Sequence, residues 1–159
     1  MFDAILTAVT LATGSGVVAP AVQAPDYVVS ASALVAEDQT PTGKFTTATE
    51  IKPIITMTQG NWVAVREWDG QDLIYVSHLW AWRCGLVQIE ISINGGDAEV
   101  WPLPPCHEDT AQPNAIIESD GLPYRRFELK SIETLDVTVT FDDLTTQSAS
   151  FERKNVLLP

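Results

Sequence analysis

The stretch Trp62-Val63-Ala64-Val65-Arg66-Glu67-Trp68-Asp69-Gly70-Gln71-Asp72-Leu73-Ile74-Tyr75 decides the fold class. Asp69-Gly70 is a two-residue turn signal, because both positions of a tight hairpin turn need positive φ. With Trp68 paired to Gln71, Val65 faces Ile74 and Val63 faces Val76. Trp62, Ala64, Arg66 and Trp68 then share the opposite face with Leu73 and Tyr75. One face is aliphatic and the other aromatic. Two readings follow: strands buried on both sides, or an aromatic face offered to a ligand.

Outward from this hairpin, the pattern stays mostly β. Val87, Ile89, Ile91 and Ile93 alternate with polar residues before the turn Asn94-Gly95-Gly96-Asp97. The return strand is Ala98-Glu99-Val100-Trp101, and Pro102, Pro104 and Pro105 stop it. Tyr124 to Lys130 supplies another strand. Leu135, Val137, Val139 and Phe141 alternate before the Asp142-Asp143-Leu144-Thr145 turn, and Ser148 to Glu152 returns. N-terminal to the first hairpin, Thr47 with Glu50 three residues later reads as a capping box. It predicts a short helix over 48–58, with Ile51, Ile54 and Ile55 on one stripe and Trp62 and Trp68 packed beneath. Pro53 must sit in its first turn or kink it. The sum is a mainly β, α+β domain: about six or seven strands and one short helix, as a single antiparallel sheet or a small sandwich.

Composition sets the bounds. The chain has 159 residues, 45% of them hydrophobic, with 21 acids, 9 bases and a formal charge of −12. It is long enough for one domain with a real core. Its charge opposes nucleic acid and anionic headgroups, since each phosphate contact needs a local cation. Residues 1–24 carry Asp3 as their only charge and read as a signal peptide or an N-terminal arm. Ala19-Pro20-Ala21 is an A-x-A site, while the segment before it lacks Lys and Arg. Gly14, Gly16 and Pro20 argue against a membrane span there. Residues 25–44 read as a linker or loose first strand, and the compact domain spans 45–159.

The two cysteines of an exported chain are expected to pair. If Ile93 and Asp97 flank a three-residue turn, Cys84 falls opposite Cys106, and a two-residue turn shifts the register by one place. Either brings the two together at the open end of the hairpin.

Candidate sites are few. His107, Glu108 and Asp109 are metal or acid/base residue types, but neighbours in a loop seldom aim at one ion. The bland alternative is a solvated loop anchored by Cys106. No activated-nucleophile motif and no phosphate-cradling glycine loop occurs. No cofactor is implied. If the segment after Tyr75 continues as a strand, His78, Trp80 and Trp82 share a face and form a ligand platform, with Arg83 opposite. The alternative is that these tryptophans are core.

The segments TATEIKPI (47–54), NWVAVREWDGQDL (61–73), AWRCGL (81–86) and CHEDTAQPNAI (106–116) resemble a small exported domain of uncharacterised alphaproteobacterial proteins. That resemblance implies a leader followed by a compact periplasmic domain, and it carries over no catalytic or binding residue. The expected function is a non-enzymatic periplasmic or secreted interaction module for a protein or glycan partner. Carbohydrate or small-ligand binding on the aromatic face is the first alternative. A metal-dependent enzyme using His107, Glu108 and Asp109 is the second.

Overall fold

The computed structural model describes residues 34–159, so the expected leader and the first part of the expected linker lie outside the described residues. The Asp69-Gly70 turn has φ of 52° and 71°, and it joins β1 (Ala64–Trp68) to β2 (Gln71–Tyr75) in the register read from sequence: Trp68 opposite Gln71, Val65 opposite Ile74. β5 (Tyr124–Glu128) adds to the other side of β2, which makes a three-stranded antiparallel sheet in the order β1-β2-β5.

The second sheet has four antiparallel strands in the order β4-β3-β6-β7. They are β3 (Leu86–Ile93), β4 (Glu99–Trp101), β6 (Thr134–Phe141) and β7 (Thr146–Glu152). Ile89 pairs with Trp101 and Ile91 with Glu99, which is the register of a three-residue turn. The ladder stops at Trp101, as the prolines require. Ile89 and Ile91 of β3 and Leu135, Val137, Val139 and Phe141 of β6 are buried. A register shift between Leu86 and Gln88 breaks the alternation, so Leu86 and Gln88 are buried while Val87 is partly exposed.

Both sheets and α1 (Ala48–Met57) share one core, which joins Val65 and Ile74 to Ile51, Ile55, Ile89 and Val137. The fold is mainly β, α+β, with seven strands in two sheets among the described residues. Pro53 is not in the first turn of α1 but inside it, the sixth of its ten residues, so the helix forgoes the N–H bond from position 53 to the Thr49 carbonyl. Ile51 and Ile55 are buried and Ile54 half-buried. Trp62 lies beneath the helix and donates its indole N–H to Ile55 O at 2.9 Å. Trp68 does not: it is 54% exposed on the outer face of the small sheet, with the Arg66 guanidinium 4.2 Å from its ring centre.

The expected strand through His78, Trp80 and Trp82 is not formed. Pairing with β1 and β5 ends at Tyr75, and the chain turns into α2 (Ser77–Trp80), followed by a 3-10 turn over Arg83–Gly85. Leu79 and Trp80 are consecutive and both buried. A strand would point them to opposite faces, whereas a helical turn buries both.

Candidate functional site

The second half of the expected capping box works differently from the motif. Thr47 Oγ1 accepts the Glu50 N–H at 3.3 Å, but the Glu50 carboxylate reaches outward into the loop before the helix. It accepts the N–H groups of Thr42 at 3.1 Å, Gly43 at 2.9 Å and Phe45 at 3.1 Å. Burial pulls the Glu50 pKa upward, but the donors from Thr42, Thr47 and Phe45 outweigh it and lower it to about 2. The loop is thereby folded around a carboxylate. It places Phe45 at φ 58°, a left-handed conformation that a bulky residue adopts only when its surroundings impose it.

Phe45 is 44% exposed, and its ring meets Trp82 edge-on with centroids 5.5 Å apart. The pair stands on an open groove of about 420 Å³, completed by Lys44, Gln112, Pro113 and Ala115. Three of the segments quoted above converge here: 47–54 through Glu50, 81–86 through Trp82, and 106–116 through Pro113 and Asn114.

The groove rests on a dense support. Cys84 and Cys106 are bonded, with Cα atoms 4.8 Å apart, which ties the turn after Trp82 to the proline-rich loop. Asn114 Oδ1 accepts the Cys84 N–H at 2.8 Å, while Asn114 Nδ2 donates to Phe45 O at 2.9 Å. Arg83 is buried between these elements. Its Nε donates to Pro105 O at 3.0 Å, Nη1 to Trp80 O at 3.0 Å and Asn114 O at 2.8 Å, and Nη2 to Ala115 O at 3.0 Å and Asp120 Oδ2 at 3.3 Å. All five guanidinium donors are used, which is what permits a buried arginine. Gly85 passes so close to α1 that a Cβ there would lie 2.6 Å from Ile51 Cδ1 and 2.9 Å from the Thr47 carbonyl carbon.

His107 Nε2 lies 2.9 Å from Asp120 Oδ1, so Asp120 joins His107 to Arg83. Burial raises the pKa of Asp120, but the Ile117 N–H, His107 and Arg83 outweigh it and hold it below the ordinary carboxylate value. Glu108 and Asp109 point to solvent and do not join this pair. The expected metal trio is therefore split, and among the described residues no group of three or more His, Cys, Asp or Glu side chains converges as a ligand set. A carboxylate-held imidazole is the geometry of a general base. Among the described residues, no Ser, Cys or Lys side chain is a hydrogen-bond partner of the His107 ring.

The aromatic trio is split as well. Trp80 is buried, with its indole N–H donated to Pro102 O at 3.0 Å. His78 Nε2 meets Thr58 Oγ1 at 2.8 Å, beside a separate open groove of about 380 Å³ lined by Tyr75, Asn155, Leu157 and Leu158. Burial lowers the pKa of His78. Of the three, Trp82 alone reaches the Phe45 groove. Sequence reasoning missed Phe45, Arg83 and Asp120. The available signal was Arg83 itself, a charge in the otherwise uncharged run LWAWRCGL, where a guanidinium must find partners.

Among the described residues no helix is long and apolar enough to cross a membrane. Compared with family models, with curated proteins and with solved structures, the chain finds no match.

Proposed function

We propose that the chain is an extracytoplasmic, non-enzymatic binding module of the exported type it resembles, and that it recognises a sugar ring or a similar small ligand in the Phe45–Trp82 groove. The observation that carries this reading is Phe45: a half-exposed ring, held at positive φ and edge-on to Trp82. Strained residues persist where the surrounding structure over-determines them, and they concentrate at binding sites. Exposed aromatics on a rigid frame are amphipathic anchors for ligands with an apolar face and polar rim. Lys44 and Gln112 supply polar groups at the groove. The Cys84–Cys106 bond supports an oxidising compartment, the periplasm or the exterior, because cytosolic thiols are kept reduced.

The test is a glycan and small-ligand screen read by tryptophan fluorescence, repeated with Phe45→Ala and Trp82→Ala. Binding that both substitutions weaken at least tenfold sustains the reading. Ligands that bind both variants as tightly as the parent protein place recognition elsewhere. Acrylamide quenching adds a control: Trp82 and Trp68 should be accessible and Trp62, Trp80 and Trp101 protected. Uniform protection removes the platform.

A further inference from the structure

The outer face of the three-stranded sheet is a second, independent surface. Register places Ala64, Arg66 and Trp68 of β1 beside Tyr75, Leu73 and Gln71 of β2, and those beside Tyr124, Arg126 and Glu128 of β5. Arg66, Leu73 and Arg126 form one row straight across the sheet. Two strand spacings set the arginine Cα atoms about 10 Å apart.

Both arginines are stacked on rings of the same face. The Arg66 guanidinium lies 4.2 Å from the centre of Trp68, and that of Arg126 lies 5.9 Å from the centre of Tyr124. Tyr124 in turn packs on Tyr75, with centroids 5.1 Å apart. Leu73 is buried yet stands outside the shared core, so it is covered from its own face by these neighbours.

Unpaired guanidinium groups, as against the unpaired ammonium groups of Lys44 and Lys130, are what separate this face from the rest of the described residues. Arg83, Arg125, Arg153, Lys52 and Lys154 each pair with a carboxylate. Among the described residues, neither Arg66 nor Arg126 has a carboxylate within salt-bridge distance, although the chain carries 21 acids to 9 bases. Glu128, on the same face, does not pair with Arg126. The Arg126 Nη1 instead donates to Gln71 Oε1 at 3.1 Å. Two guanidinium forks thus remain open to an outside anion, on a face that also offers three aromatic rings.

We infer that this face binds a carboxylated oligosaccharide, with sugar rings on Trp68, Tyr75 and Tyr124 and uronate carboxylates on Arg66 and Arg126. Guanidinium matches carboxylate bidentately, and ring stacking suits the apolar face of a pyranose. The formal charge of −12 disfavours long, dense polyanions such as nucleic acid or an anionic bilayer, which meet the field of the whole protein. A short ligand of low charge density meets mainly the local pair.

The experiment titrates the full chain by calorimetry with an oligouronate and with the same oligosaccharide as its neutral methyl ester. An oligoglutamate of equal charge is the third probe. The oligouronate should bind at least tenfold tighter than its ester and than the peptide. Arg66→Gln and Arg126→Gln should each cost about tenfold, while Met57→Ala, at an exposed residue of α1 outside both surfaces, changes nothing. The guanidinium NMR signals of the unmutated protein provide a readout that needs no variant: uronate should shift Arg66 and Arg126. Equal binding of acid and ester, equal or tighter binding of oligoglutamate, or unmoved Arg66 and Arg126 signals would each overturn the assignment.

Discussion

Asn114 donates its side-chain amide to the carbonyl of Phe45 at 2.9 Å, and so closes over a backbone held at φ 58°. The same amide takes the Cys84 N–H on its oxygen, so one side chain fixes the groove to the disulfide turn. Asn114→Ala should destabilise by about 1–3 kcal/mol, because the Cys84 N–H and the Phe45 carbonyl lose their partner. Asn114→Asp should keep the Cys84 contact and lose the Phe45 one. Urea midpoints rank the two, and the Phe45–Trp82 NMR contact should weaken in both.

Arg83 makes a sharper case. Removing it strips partners from four backbone carbonyls and leaves the Asp120 carboxylate without its buried cation. Arg83→Met should cost about 3–5 kcal/mol. Arg83→Lys should not rescue it, since an ammonium has three donors and no planar fork. Denaturant unfolding measures both, and a loss under 1 kcal/mol for the methionine variant would refute the pillar role.

Acid should act through Asp72. This carboxylate is buried on β2 and bonded by Arg153. The Arg153 guanidinium lowers its pKa to about 2 despite burial, and the Lys130 and Ile132 N–H groups assist. A depressed carboxyl stabilises above its unfolded value of 3.8 and loses that contribution as pH falls through the folded value. The ionised group should therefore contribute about 2 kcal/mol at neutral pH. The stability gap between the parent protein and Asp72→Asn, followed by urea unfolding from pH 6 to 2, should stay level to about pH 4 and then narrow.

Reduction tests the cross-link. Cys84 and Cys106 are 22 residues apart in sequence, and loop closure of that length contributes about 3 kcal/mol. A Cys84→Ser/Cys106→Ser variant should unfold at lower urea by that amount. Its ligand affinity should fall further than that of a variant equally destabilised in the core, because the loop carrying Pro113 and Asn114 loses its anchor.

Local chemistry determined much of this protein. The Asp69-Gly70 turn and the register of its hairpin, the Cys84–Cys106 pairing, the alternation of β6 and the helix start at Thr47 were legible because each depends on residues close in sequence or on a period of two. Tertiary structure decided the rest. Whether Ser77 to Trp82 was strand or helix depended on whether β1 and β5 had backbone left to pair with it. Whether Trp68 was core or surface depended on which face of the small sheet met the large one. Phe45 and Asp120 are ordinary residues in sequence. They acquire roles through Glu50, Asn114 and Arg83, partners up to 69 positions away, which only the closed core brings within hydrogen-bond distance.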